Sequence, residues 1–470
     1  MAYKTTNPYT GEVLKTFETL SDQELEAKLQ KAQTAFESWS KTSFDERARV
    51  LRKAAELMLE RREEYGAINT LETGKPIQIA VWENNLCAYI MNYYADKAEE
   101  LLAPHFVETT DEMAGHAVGI YQPLGIIYEI EPWNVPFFQM TRPTAAQLMA
   151  GNVVVLKHAS NCPQTALAME QLLKDAGLPD GCFQNLFVDY EQSDRLIEDP
   201  RICGVTITGS TEVGRGVAGR SGHALKKHVM ELGGSDSMIV LPDADMEKVI
   251  SGAMLGRLTI SGQVCASDKR MFIHDSIYDD FIQGVTQAAS QLVAGDPMSF
   301  ETTFGPLSSI KAAEKVKSQI AKAVENGATA IEIGPEVPEN SAFVRATILT
   351  NVAEDNPIFQ EEIFDPVMMV FNWKDENEVL RLANGTSFGL GGSVYSNNPI
   401  DAARIAAGIE AGAISINQPT MASPAIPFGG IKESGYGREL GVEGIREFTN
   451  QKYINSADID MKEIFAQFNK

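Results

Sequence analysis

The chain has 470 residues, 44% of them hydrophobic and 22% charged, and carries a formal charge of −24 at pH 7. So long a chain exceeds what one hydrophobic core supports, and two or three domains are expected. The acidic balance excludes nucleic acid and anionic membrane surfaces as partners, because both demand a basic face, and it leaves an anionic substrate dependent on a local cation.

The opening stretch, Met1 to Pro8, has no apolar signal core, and no apolar run approaches the ~18 residues of a membrane span, so a cytoplasmic protein is expected. After a turn-rich start at Asn7-Pro8-Tyr9-Thr10-Gly11, the first hundred residues read as helical. Ser21 with Glu24, and Ser43 with Glu46, each make a capping box, in which hydroxyl and carboxylate satisfy otherwise unpaired N–H groups. Leu25, Leu29, Ala32 and Phe36 follow on one helical face. Val50, Leu51, Ala54, Leu57 and Met58 form the buried stripe of the second helix, which is expected to run to Gly74-Lys75-Pro76. A third helix is expected from about Ile77 to Leu102.

From about Ala117 strands and helices alternate. Apolar runs at 125–130, 153–156, 184–188 and 205–207 are separated by helical patterns such as 162–176, which predicts a parallel sheet covered on both faces. Ligands of such sheets bind at the carboxyl ends of the strands. That rule points to Pro132-Trp133-Asn134, to Lys157, and to the stretch Gly209 to Gly214. The two glycines open a helix straight after a strand, which suits either a pyrophosphate on free N–H groups or a tight turn alone. A second alternating unit follows 238–241, with helices near 246–258 and 277–293 and strands near 344–349, 367–371, 392–395 and 413–417. Pro427-Phe428-Gly429-Gly430 is a glycine-rich turn, and 451–454 reads as a last strand. Gly233-Gly234 is the best candidate for a domain boundary.

The chemistry centres on Ile260-Ser261-Gly262-Gln263-Val264-Cys265-Ala266-Ser267. Small and polar neighbours predict an accessible sulfur, with fixed dipoles that favour the thiolate below its free pKa of about 8.5; the alternative is a small buried hydrophobe. The five cysteines are scattered without metal-ligand spacing, and the six histidines do not cluster, so reduced thiols and no metal site are expected. Three features join Cys265: Glu231 at the end of an apolar strand, Asn134 on a proline-flanked loop, and Glu362 two residues before the ring of Phe364.

Pro132-Trp133-Asn134, Lys157, Gly209 to Gly214, Glu231-Leu232-Gly233-Gly234, Gly262-Gln263-x-Cys265, Glu361-Glu362-Ile363-Phe364 and Pro427-Phe428-Gly429-Gly430-x-Lys432-x-Ser434-Gly435 resemble, in this order, the aldehyde dehydrogenase superfamily. The resemblance spans essentially the whole chain. It implies an α/β fold with a Rossmann-type NAD(P)-binding domain over 1–104 and 124–232. A catalytic α/β domain would occupy 233–432, with a small β oligomerisation element over 105–123 and 446–460 that bridges a homodimer or homotetramer. It implies Cys265 as the nucleophile toward an aldehyde, Asn134 and the Cys265 N–H as oxyanion donors, and Glu231 as the general base. For NAD or NADP it implies Lys157 on the adenosine ribose, Ser210 and its helix start at the pyrophosphate, and Glu362 with Phe364 at the nicotinamide. Trp133, Ser160, Gly209, Val213 and Leu232 complete that set.

Within the superfamily, 156–161 and 231–236 are most similar to bacterial succinate-semialdehyde dehydrogenases. Arg142 matches an arginine that there faces the substrate carboxylate; the alternative is an ion pair with an acidic side chain. Thr259 stands where some of that group carry a second arginine. Ser160 stands where NAD-preferring relatives have a glutamate, so a 2′-phosphate is not repelled and NADP is expected to be accepted. Asp365 replaces the glycine usual after Glu-Ile-Phe. Retention of Glu231 argues against a CoA-acylating relative, and retention of Cys265, Glu231 and Asn134 together argues against a non-catalytic protein of the same fold.

Overall fold

The computed structural model describes residues 3–107 and 116–468. Both capping boxes form, and they start the helices Asp22–Trp39 and Phe44–Glu60. The second does not run on to Gly74 as expected. It ends at Arg61, which leaves helical geometry at φ −100° and ψ 11°, and a new helix, Arg62–Thr73, carries the chain to a left-handed Gly74. No proline or glycine marks that break, so the residues do not announce it. The turn at Asn7–Gly11 joins two short strands, Tyr3–Thr6 and Val13–Phe17; the second is too exposed to show an alternating pattern. The helix Ile77–Leu101 closes this layer.

A six-stranded sheet follows, in the order Gly435–Tyr436, Lys227–Glu231, Ile202–Thr208, Ile126–Glu131, Val153–His158 and Phe183–Asn185. It is parallel except for its first strand, which returns from the far end of the chain. Every residue of Val153–His158 is buried, as a central strand covered on both faces requires. The strand ends bring Glu131, Lys157, Thr208 and Glu231 to one edge.

After Glu231 the chain crosses Leu232–Ser235 and enters a seven-stranded sheet. Its order is Thr329–Ile333, Ala346–Thr350, Val367–Trp373, Asp268–His274, Asp236–Val240, Gly391–Tyr395 and Ala413–Ile416, antiparallel only at the first pair. Its two faces hold separate apolar cores, one under the helices Ile310–Glu325, Glu376–Asn384 and Pro399–Gly408, the other under Met246–Leu258 and Tyr278–Ala289. A further, three-stranded sheet pairs His116–Pro123 with Thr449–Ser456 on one side and His105–Val107 on the other. Residues 108–115 of the expected bridging segment lie outside the described residues. No helix among the described residues is long and apolar enough to cross a membrane.

Candidate active site

The helix Met246–Leu258 ends in a single tight turn, Thr259–Gly262, where Ile260 (φ 56°), Ser261 (φ 53°) and Gly262 (φ 79°) are all left-handed. A β-branched residue is costly there, so the surroundings must over-determine the turn. They do. Ser261 Oγ donates to the Gly305 carbonyl at 2.6 Å. A Cβ at Gly262 would sit 2.6 Å from the Asp365 carbonyl, so only glycine allows this approach. Arg257, fully buried, donates to the carbonyls of Gly262 (2.9 Å), Ile363 (2.7 Å), Val367 (2.8 Å) and Asp365 and to Ser267 Oγ (3.0 Å). One guanidinium thus ties the cysteine window to the segment that carries Glu362 and Phe364.

Asn134 stands beside this window. Its Nδ2 donates to the Gln263 carbonyl at 3.0 Å, and its Oδ1 accepts from Gln139 Nε2 at 3.2 Å, which fixes the orientation of the amide. Lys269 Nζ donates to the Cys265 carbonyl at 2.6 Å and pairs with Glu362 at 3.3 Å. The Glu362 carboxylate also accepts the Gly234 N–H at 3.1 Å.

Cys265 is half-buried and lines a cavity. Burial pushes the Cys265 thiol up to about 11, against the pull of Arg142 and Lys269 and with help from Glu231 and Glu362. Desolvation here favours the neutral thiol over the thiolate that small polar neighbours predict, with Arg142 and Lys269 acting in the opposite direction. Glu231 is also buried, and neither carboxylate oxygen has a hydrogen-bond partner among the described residues. Burial raises it well above the usual carboxylate range, with Arg142 opposing and Glu439 adding to the rise. Its Oε1 lies 2.6 Å from where a Cβ at Gly429 would be, so the glycine-rich turn makes the room this carboxylate occupies.

Arg142 lies in the helix Pro136–Ala150, which is buried along its whole length. Its Nε pairs with the Glu439 carboxylate, its Nη2 donates to Thr208 Oγ1 at 2.9 Å, and its guanidinium is sandwiched by Phe138 (5.3 Å) and Phe428 (5.1 Å). The structural ion pair that the sequence left open is therefore present, although Arg142 still lines the cavity that holds Cys265. That cavity, of about 430 Å³, also takes in Asn134, Gln139, Thr259, Ile260 and Thr420.

Of the residues expected to meet the cofactor, those from Trp133 to Leu232 fall at or near strand ends of the six-stranded sheet, and Glu362 and Phe364 precede the strand Val367–Trp373 of the seven-stranded one. Ser210 caps the helix Thr211–His223, accepting the Val213 N–H at 3.4 Å, and Val213 is half exposed. Gly214 has a packing reason: a Cβ there would lie 2.3 Å from the Leu232 side chain. Gly209 donates its N–H to the Glu231 carbonyl at 3.0 Å. Trp133 meets Phe364 edge-on at 6.1 Å. Lys157 is the informative member. It is 7% exposed, burial alone draws it down to about 8, and its ammonium lies over the Tyr190 ring at 5.7 Å. A desolvated cation with no ion-pair partner among the described residues fits a phosphate-bearing ligand, and half-buried Ser160 nearby brings no carboxylate to repel one.

Sequence reasoning missed Arg257, Lys269 and Glu439. Arg257 stood out in principle, as a lone charge in the apolar run Met254-Leu255-Gly256-Arg257-Leu258. Glu439 had no such signal, because its partner lies almost three hundred residues away. The buried Asp365 side chain supplies the strongest of the acidic charges that act on the Arg257 guanidinium and favour its charged form against burial.

Known proteins repeat this arrangement over nearly the whole chain. A succinate-semialdehyde dehydrogenase [NADP(+)] of Deinococcus radiodurans is 42% identical over 454 residues, covering 97% of this chain and 94% of the relative. Succinate-semialdehyde dehydrogenase [NADP(+)] 1 of Mycobacterium tuberculosis is 40% identical over 458 residues, covering 97% and 99%. Among solved structures, succinic semialdehyde dehydrogenase from Streptococcus pyogenes in complex with NADP+ superposes with a TM-score of 0.94 at 40% identity, over 97% of this chain and 99% of that one. The Aldehyde dehydrogenase family profile matches residues 1–454, and by that match the chain belongs to the aldehyde dehydrogenase family.

Proposed function

We propose that the protein oxidises an aldehyde, succinate semialdehyde by the pattern of its relatives, to the carboxylate, with NADP as the hydride acceptor and NAD as a poorer one. The observation that carries this reading is Cys265 in a cavity beside the oriented amide of Asn134. Cys265 Sγ adds to the aldehyde carbon while its proton passes to Glu231, giving a thiohemiacetal. Asn134 Nδ2–H and the Cys265 N–H hold the oxyanion, each donor being worth about 3 kcal/mol. When bound, NADP supplies the acceptor for the hydride that leaves the aldehyde carbon. Once Glu231 has released the first proton to solvent, it takes a proton from water, whose oxygen attacks the thioester carbon; the C–S bond breaks and Cys265 leaves as a thiolate that is reprotonated.

Lys157 and Ser160 would receive the adenosine end with its 2′-phosphate. Ser210 and the start of its helix would meet the pyrophosphate, while Glu362, Phe364 and Trp133 would frame the nicotinamide. The carboxylate of succinate semialdehyde would reach Arg142, the one cation among the residues lining the cavity. The strand Thr449–Ser456 offers a long exposed edge, which supports a homodimer or homotetramer. Free cysteines suit a reducing compartment such as the cytoplasm.

A single-turnover assay with excess enzyme tests the mechanism. Cys265→Ala should abolish NADPH formation, and Glu231→Gln should leave a thioester that hydrolyses slowly. Full activity in the alanine variant would refute it.

A further inference from the structure

Lys269 stands behind the cysteine window. Val264, Cys265 and Ala266 line the cavity, whereas Lys269 does not and is fully buried. Its Nζ donates to two successive carbonyls, Val264 at 3.2 Å and Cys265 at 2.6 Å, and pairs with Glu362 at 3.3 Å. The same atom lies 5.9 Å from the centre of the Phe364 ring. Asp236 and Asp268 also face it: burial raises their carboxyls to about 6 and about 7, and Lys269 pulls both back down.

The bond to Val264 has a chemical consequence. The Val264 carbonyl and the Cys265 N–H belong to one peptide group, which is planar and trans, so the two point in opposite directions. Holding the carbonyl on the buried side turns the N–H the other way, toward the cavity that Cys265 lines. Among the described residues that N–H donates to no protein acceptor. A bond from a charged donor to the carbonyl also polarises the amide, which makes its N–H a stronger donor.

We propose that Lys269 is a positioning residue for the oxyanion hole: it aims and polarises the Val264–Cys265 peptide, whose N–H receives the oxyanion. This role rests on the dehydrogenase reading above. Lys269 acts through the peptide and does not itself meet the aldehyde. Because its ammonium also pairs with Glu362, the oxyanion donor and the nicotinamide end of the site share one anchor.

The test reads the oxyanion hole after the hydride has left. In the Glu231→Gln background, succinate semialdehyde labelled with heavy carbon at the aldehyde carbon leaves a thioester whose carbonyl stretch is isolated by infrared difference spectroscopy, with NADPH removed. Lys269→Met, which keeps the volume but loses the charge and the donors, should move that band to higher wavenumber, because a weaker hole polarises the carbonyl less. With Glu231 intact, Lys269→Met should lower kcat at least about tenfold, short of the roughly 100- to 1,000-fold that follows loss of a whole oxyanion donor. A purely structural role would leave the band in place and lower kcat only with the folded fraction, which thermal unfolding measures. Lys269→Gln, which keeps a neutral donor, should give an intermediate shift and serves where the methionine variant does not fold. An unmoved band in a folded variant would overturn this proposal alone. Absence of any label-sensitive thioester band in Glu231→Gln itself would overturn the dehydrogenase reading and this proposal with it.

Discussion

Replacing Arg257 by methionine removes the tie between the cysteine window and the segment bearing Glu362 and Phe364, at nearly unchanged volume. Four carbonyl groups and one hydroxyl lose a charged donor in a fully buried setting. Each unpaired buried acceptor costs about 1–3 kcal/mol, while relief from burying a guanidinium offsets part of the total. A net loss of about 3–5 kcal/mol is expected, read as a lower urea midpoint. The catalytic consequence is separable from the loss of stability. At temperatures where the variant is folded, KM for NADP should rise and kcat should fall by at least tenfold. The deuterium isotope effect with a 1-deuterated aldehyde should increase, because a loosened frame for the nicotinamide slows the hydride step first. Arg257→Lys, which keeps the charge but loses the planar fork, should recover only part of kcat. An unchanged isotope effect, with kcat falling only in proportion to the folded fraction, would refute a positioning role for Arg257.

Removing the competitor for Arg142 should sharpen discrimination: Glu439→Gln is expected to raise the ratio of kcat/KM for succinate semialdehyde over butanal by roughly tenfold, about 1.4 kcal/mol of freed ion-pairing, and an unchanged ratio would show that Arg142 does not meet the substrate. Lys157 has its pKa lowered to about 8, so its charge is present below that value and lost above it. KM for NADP should therefore climb as pH rises through 8, while KM for NAD stays comparatively flat. Cys265, raised to about 11, should be alkylated by iodoacetamide in the cofactor-free enzyme at a rate still increasing at pH 10. A plateau by pH 9 would contradict its enclosure. The same shift makes a small contribution to stability that is present below the free thiol value and lost as pH rises through the folded one.

Much of the architecture is legible because local chemistry and tertiary structure agree. Ser21-x-x-Glu24 starts a helix where it should, and the all-apolar 153–156 run is a central strand. The motif ends at Asn134, Lys157 and Gly209 follow strands, so the rule about carboxyl ends locates them without coordinates. What escapes the sequence depends on distance or enclosure. The fate of Arg142 is decided by Glu439, which follows a short return strand from the far end of the chain and bridges Phe428. The sequence neighbours of Cys265 are small and polar, whereas its proton affinity depends on the burial and charges that the fold places around it. The break at Arg61 and the exposed strand Val13–Phe17 carry no patterning signal at all.

The left-handed turn ahead of Cys265 also bears on how this protein can change over generations. Glycine or asparagine would adopt the backbone of residue 260 more readily, by about 1–2 kcal/mol, yet the chain places isoleucine there, and that side chain forms part of the cavity wall. Stability and ligand choice therefore pull against each other at a single residue. Drift toward a sturdier backbone at 260 would open the wall, and a lineage selected for heat resistance would be expected to broaden its substrate range at this position unless a compensating bulk appeared at Thr259 or Met421.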